Sequence, residues 1–342
     1  MFAVLAGPGA ASARREGAVV SGLKTEFDVV VVGGGAAGLS GALTLARARR
    51  SVLVIDSGEP RNAPASGVHT FIGREGVPPA RLLADARAEV TGYGGEIRQG
   101  RAVSARRLAT GGFSVGLDGG DAVSGRRLLI ATGLADELPE VPGLAGRWGR
   151  EVLHCPYCHG WEVRDRRIGI LGTGPLAVHQ ALLWRQWSGD VTLFLHTAPE
   201  PSDEEYEKLT ARGIPVVEGR VASVEVRDDR LAAVRLDGGR EFPCDALAVT
   251  PRLTARVGAL AGLGLEAREQ EMNGHVVGTH LPADPSGATE VPGVWAVGNA
   301  ASLNEVVIGS AAAGVRAGAA INGDLIAEET SEAVNARLTV SR

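Results

Sequence analysis

Apolar positions along this chain recur in one arrangement: a short run of β-branched residues that closes on glycines. Phe27–Val32 reads FDVVVV, the composition of a strand buried on both faces, and runs directly into Gly33-Gly34-Gly35-Ala36-Ala37-Gly38. Leu39–Arg49 then reads as a helix, and a second apolar strand, Ser51–Ile55, ends at Asp56. The arrangement returns as Ile168–Leu171, the turn Gly172-Thr173-Gly174-Pro175-Leu176-Ala177, a helix over 178–187 and a strand over Val191–Leu195. Gly33 and Gly172 are 139 residues apart, so the chain contains an internal repeat. Two more strands end in glycine turns: LLIATG at 128–133, and VPGVWAVGNA at 291–300, which precedes an Ala/Gly-rich helix over 306–322.

Strand, turn, helix and strand in this order predict an α/β protein of two Rossmann-like, three-layer nucleotide-binding domains, the second inserted into the first. The expected boundaries are 27–136 with 247–326 for the outer domain and 137–246 for the inserted one. The Pro-rich DELPEVPG at 136–143 is read as linker, 1–26 as a disordered leader and 327–342 as a C-terminal tail.

Composition narrows the function. A net charge of −5 provides no global basic field for nucleic acid or anionic lipid. No stretch reaches 18 uncharged apolar residues, so no membrane span is expected. In the leader the positive charges, Arg14 and Arg15, follow the apolar run where a secretory signal needs them before it. The protein is therefore read as cytoplasmic.

The first turn is G-x-G-x-x-G between strand and helix, with Asp56 placed 18 residues beyond Gly38. Its glycines let backbone N–H groups and the helix N-terminus approach a pyrophosphate, and Asp56 is placed to accept from the adenosine ribose. Cys155 and Cys158 form a C-x-x-C, a spacing that serves redox chemistry or metal binding. At the start of a helix, both thiols face one side and can close a reducible disulfide. Zinc would need a second ligand pair at matching spacing. Cys244 is 86 residues away and His154 and His159 flank the cysteines directly, so no metal is expected. Cys244, in FPCDALAV, reads as a buried small hydrophobe.

Four matches in one order carry a resemblance over 27 to about 326: GGGAAG, ATG, Cys155-Pro-Tyr-Cys158 and VPGVWAVGN. The chain resembles the low-molecular-weight thioredoxin reductase family of FAD proteins. The stretch His154-Cys-Pro-Tyr-Cys-His-Gly-Trp161 is most similar to its disulfide-forming dithiol oxidases of gliotoxin and holomycin type. The resemblance implies FAD held by Gly33, Gly35, Ala36, Ala37, Gly38, Asp56, Asn62, Ala131, Thr132, Gly133, Gly298 and Asn299, and a homodimer. It implies that Cys155 exchanges with a small-molecule dithiol while Cys158 lies against the flavin, the electrons passing on to O2 to give hydrogen peroxide. His159 stands where the reductases have an acid. It and His154 are the candidate bases, imidazoles being suited to removing protons from a dithiol near neutral pH. Gly298-Asn299 replaces the usual Gly-Asp, and Glu305 replaces a common Gln. Tyr157 and Trp161 are read as lining a substrate pocket or packing in the core, and Arg61 and His69 as lying near the isoalloxazine.

The second turn departs from the reductase pattern. Arginines that pair with a 2′-phosphate are missing after Phe194-Leu195-His196, where Thr197-Ala-Pro-Glu200-Pro-Ser-Asp203-Glu204-Glu205 follows. His196 is not the carboxylate that NAD(H) calls for, and Pro175 removes an N–H from the turn. The expectation is a retained shell that does not hold NADPH. The alternatives are an NAD(P)H-dependent disulfide reductase and a redox-sensing flavoprotein that does not turn over.

Overall fold

A computed structural model describes residues 19–20, 23–272 and 274–340. Its first sheet runs, in space, Glu96–Gln99, Val52–Asp56, Glu26–Val32, Ala122–Ile130, Phe113–Leu117 and Ala102–Arg107, with Val294–Ala296 beside the end of Ala122–Ile130. The four strands from Glu96–Gln99 to Ala122–Ile130, together with Val294–Ala296, are mutually parallel. Val29, Val30 and Val31 are fully buried, as β-branched residues covered on both faces should be. One face packs on the helices Ala36–Arg47 and Val307–Val340 through Leu39, Leu45, Ala317 and Ile321. On the other face Val30, Leu53 and Leu128 cluster with Phe113 and Val115 from the sheet's own antiparallel strands and with Leu260.

The second sheet is parallel throughout, in the order Val152–Leu153, Ala246–Val249, Ile168–Leu171, Val191–Phe194, Val216–Val217. The helix Ala177–Trp184 covers one face. A three-stranded antiparallel sheet, Val221–Arg227, Arg230–Leu236 and Glu241–Pro243, covers the other with Val224 and Val234. The fold is therefore two three-layered Rossmann-like α/β bodies built around parallel sheets, the second lying within the sequence of the first. Leu134–Glu137 and Arg252–Ala255 pair antiparallel, so the chain crosses over and returns on adjacent strands.

Three sequence expectations change. Ala246–Val249 belongs to the inserted sheet, so the return to the outer body follows Val249 rather than starting at 247. The segment read as linker from Asp136 begins inside a strand. The helix expected to stop near Asn322 runs unbroken over Val307–Val340, so 327–340 is helix and not a loose tail. Asn322-Gly323 resembles a stop signal, but ion pairs carry the helix past it: Asp324 to Arg127, Glu328 to Arg126, and Glu329 to Arg50 and Arg126. Of the leader, residues 1–18, 21 and 22 lie outside the described residues, and Val19–Val20 pair with Leu23–Lys24. No helix among the described residues is long and apolar enough to cross a membrane.

Candidate active site

Three parallel strands end level with one another, because Val32 pairs with Ile130 and Ile130 with Ala296. Their carboxyl ends deliver Gly33–Gly38, Ala131-Thr132-Gly133 and Gly298-Asn299 to one place, the usual ligand edge of a parallel sheet. They form one wall of a cleft of about 420 Å³. The cleft is lined by Gly33, Gly35, Ala36, Ala37, Asp56, Asn62, Ala131, Thr132, Gly133, Gly298 and Asn299, and on its far side by His154, Cys155, Cys158 and His159. Gly38 is absent from the lining. A β-carbon there would lie 1.9 Å from the Gly33 carbonyl oxygen, so it serves close packing of the helix on the turn.

The cleft fits a dinucleotide. A β-carbon at Gly35 would project into open space, and Gly35 has an ordinary φ of −79°, so the opening is not imposed by backbone strain. Thr132 Oγ1 is buried without a hydrogen-bond partner, a polar atom awaiting one. The Asp56 carboxylate accepts from Gly58 N–H at 3.2 Å and from Arg87 at 2.5 Å. These residues suit the pyrophosphate, carbonyl-bearing and ribose parts of FAD.

The redox pair sits opposite. Cys155 and Cys158 are joined as a disulfide, with Cα atoms 5.3 Å apart. Pro156 opens the single helical turn Pro156–His159, where its missing N–H costs nothing. The Cys155 carbonyl accepts from Cys158 N–H (3.2 Å) and His159 N–H (3.1 Å), folding the two sulfurs onto one side. His154 Nδ1 lies 3.1 Å from the Val249 carbonyl. A carbonyl only accepts, so Nδ1 carries the proton and Nε2 keeps its lone pair. Burial pushes the His154 imidazole below the ordinary range, with Arg61 adding to this and Asp136 opposing it. Burial also lowers His159, against the attraction of Glu162. Both are thus placed as neutral bases near pH 7. Cys244 is buried, donates to the Ala246 carbonyl, and has its thiol pushed up to about 12, which makes it inert. Among the described residues, no group of three or more His, Cys, Asp and Glu could hold a metal ion.

Asn299 has a role that its type alone conceals. Its side-chain amide donates to the carbonyls of Ser302 (3.2 Å), Leu303 (3.3 Å) and Glu305 (3.0 Å), while its oxygen accepts from Arg61 (3.3 Å). An aspartate could not donate to any of these carbonyls. Arg61 also holds Asp136 with two bonds, at 2.8 and 2.6 Å, tying the 57–78 loop to the connector strand. The Glu305 carboxylate folds over Gly309 in the first turn of the long helix, where the helix dipole favours a negative charge.

The second glycine turn is built differently. The Gly172 carbonyl accepts from both Thr197 N–H and Ala198 N–H at 3.0 Å, so the chain after the strand folds onto the turn. In steric terms the two turns are alike: a β-carbon at Gly172 would meet the carbonyls of Leu195 and Phe194 within 2.8 Å, one at Gly33 would meet the Ala131 carbonyl, and Gly35 and Gly174 both face open space. His196, at the position where a ribose acceptor belongs, turns inward at φ 49° and accepts from Val221 N–H at 3.0 Å. The acidic run has a local purpose: Ser202 and Glu205 form a capping box, and Asp203, Glu204 and Glu205 fill the first turn of the helix Asp203–Ala211.

Tyr157 and Trp161 neither line the cleft nor join the core. They are 62% and 65% exposed, Tyr157 edge-on to Trp187 and Trp161 under Arg164. Sequence reading missed Arg87, Asp136 as a site residue, and Gln180, which reaches the cleft from the inserted body. Only Arg87 left a trace, on the same helical face as the buried Leu83 and Val90.

Comparisons with known proteins agree with this arrangement. The signature of the pyridine nucleotide-disulphide oxidoreductases matches residues 27–318. The chain is 33% identical over 290 residues to the thioredoxin reductase tcpT of Claviceps purpurea (strain 20.1), covering 82% of this chain and 88% of that one. It is 32% identical over 313 residues to the thioredoxin reductase sirT of Leptosphaeria maculans, covering 86% and 93%. Among solved structures, HlmI superposes with a TM-score of 0.86 at 45% identity, covering 96% of this chain and all of that one. The signature spans the cleft, the disulfide and both glycine turns, and the chain belongs to the pyridine nucleotide-disulphide oxidoreductase family.

Proposed function

We propose that this oxidoreductase is an FAD-dependent dithiol oxidase, which closes an intramolecular disulfide in a small-molecule dithiol and passes the electrons to O2, giving hydrogen peroxide. The observation that carries the reading is the contrast between the two glycine turns: the first shares one cleft with the disulfide and two imidazoles, while the strand after the second ends in His196, which accepts from Val221 N–H and is neither an arginine nor a carboxylate. The relatives are named thioredoxin reductases, which favours the alternative of an NAD(P)H-dependent disulfide reductase only so far as reduction goes. That reading requires a nicotinamide site with arginines or a strand-ending carboxylate, and His196 offers neither.

Gly33, Gly35, Ala36, Ala37, Asp56, Asn62, Thr132 and Asn299 would hold FAD, with Gly38 packing the helix behind them. When bound, FAD supplies a two-electron acceptor that dioxygen can recharge. The residues do the rest. His154 or His159 takes the first substrate proton, and the resulting thiolate attacks Cys155, releasing Cys158 as thiolate. The second substrate thiol, deprotonated in turn, displaces Cys155 and leaves as half of the product disulfide. Arg61, Asp136 and Asn299 keep the loop and connector in register around these groups. The test is an oxygen electrode with a peroxide assay: a small dithiol should consume O2 and release an equal amount of H2O2 without added nicotinamide. Consumption that starts only with NADPH would return the protein to the reductases.

A further inference from the structure

The cysteine turn is too short to fix its own direction. Pro156–His159 is a single helical turn, and one turn of helix has little stability without a surface to pack on. Cys155, Pro156, Cys158 and His159 line the cleft. The two neighbouring residues that do not line it, Tyr157 and Gly160, both meet Trp187, which follows the helix Ala177–Trp184.

The Tyr157 ring stands edge-on to the Trp187 indole, with centroids 5.4 Å apart at 89°, a favoured geometry for an aromatic pair. Gly160 has φ −63° and ψ −32°, ordinary helical values that do not call for glycine. A β-carbon there would lie 2.8 Å from both Cδ1 and Cδ2 of Trp187. It would also lie 2.5 Å from the Pro156 carbonyl oxygen, which the Gly160 N–H engages at 2.7 Å. Gly160 therefore serves close approach, letting the indole lie against the end of the turn.

Trp187 is itself anchored. Its backbone N–H donates to the Trp184 carbonyl at 2.9 Å, and its carbonyl accepts from Asp165 N–H at 3.0 Å. The buried Ser188 donates its hydroxyl to the Arg166 carbonyl at 2.5 Å. The Trp187 ring is 6.3 Å from that of Trp184, which is fully buried in the core of the inserted body. Ring contacts thus run from that core through Trp184 and Trp187 to the residues on either side of Cys158-His159.

We propose that Trp187 is a positioning residue for the redox pair: its indole, seated against Tyr157 and Gly160, holds the cysteine turn so that both sulfurs stay on the cleft. The inference deepens the proposed function and rests on Cys158 being the sulfur that lies beside the flavin.

The test uses holoprotein carrying Cys155→Ser, alone and combined with Trp187→Ala or Trp187→Phe, under nitrogen. Two signals are read: the charge-transfer band per flavin, and the rate at which iodoacetamide alkylates Cys158, followed by mass. Cys244, buried in the core of the same body, is the internal standard, since its labelling reports unfolding of that body. Trp187→Ala should lose most of the band and speed Cys158 alkylation up to about tenfold, as one lost aromatic contact frees the turn. Cys244 should stay protected. Trp187→Phe keeps a ring for Tyr157 and should retain both the band and the slow alkylation. A band and a rate unchanged in Trp187→Ala overturn the proposal, as does labelling of Cys244 in step with Cys158, the mark of a purely structural role. Absence of the band from the Cys155→Ser parent would overturn the placement of Cys158 beside the flavin, and the alkylation rates alone would then decide the role of Trp187.

Discussion

The two glycine turns share a sequence pattern and differ in what closes around them. At Gly33–Gly38 the turn lines a cleft, with an unpartnered Thr132 hydroxyl and the Asp56–Arg87 pair beside it. At Gly172–Ala177 the next segment folds in, Thr197 and Ala198 take the carbonyl of the first glycine, and His196 points into the protein. A glycine pattern specifies how tightly a strand can turn into a helix. Whether the turn binds anything depends on residues at the end of the following strand, about 20 positions on.

The comparison can be broken at several points, the largest effect first. Cys158→Ser should abolish dithiol oxidation and lack any long-wavelength charge-transfer band. Cys155→Ser should show that band, from a Cys158 thiolate beside oxidised flavin. The reverse spectra would exchange the two roles.

Next, one substitution placed in both turns compares them directly. A β-carbon meets open space at Gly35 and at Gly174 alike, so neither valine should disturb folding by overlap. Gly35→Val should yield folded, colourless protein. Two lost charge-assisted hydrogen bonds, at about 1.5–3 kcal/mol each, weaken flavin binding by roughly two to four decades. Gly174→Val should leave flavin content and dithiol turnover unchanged. A fall in turnover there would mean that the second turn works.

Smaller effects sharpen the account of the first site. Asn299→Asp sets a carboxylate against three carbonyls and should destabilise the protein by about 1–3 kcal/mol, seen as a lower Tm of the holoprotein. In the pH profile of disulfide reduction by dithiol, the acid limb reports the neutral imidazoles. Burial lowers His154 and His159 from 6.5, so the rate should fall only as pH drops below that value. A midpoint above 6.5 would contradict their placement as buried bases.

Much of the fold was legible because its signals are local. FDVVVV followed by glycines, and Asp56 at the next strand end, describe a nucleotide unit without any tertiary information. The C-x-x-C and its flanking histidines were legible for the same reason. The rest depends on distant partners. The helix beyond Asn322 is extended by arginines from 50, 126 and 127, which no window around residue 322 contains. Asn299 looked like a weakened aspartate, and only the loop returning at 302–305 reveals why an amide serves there. Arg87 and Asp136 reach the site from a helix and a connector with no motif of their own. The acidic run at 203–205, which follows where the reductases carry arginines, serves to cap a helix, a task visible only once the helix Asp203–Ala211 is in place.

The central claim, that electrons enter from a dithiol and not from a nicotinamide, is tested most directly by the flavin spectrum under anaerobic conditions. The account predicts that NADPH leaves the oxidised spectrum intact, that a small dithiol bleaches it through Cys155 and Cys158, and that admitting air restores it with release of hydrogen peroxide. Rapid bleaching by micromolar NADPH, at or below roughly the affinity typical of a working cofactor site, would contradict it.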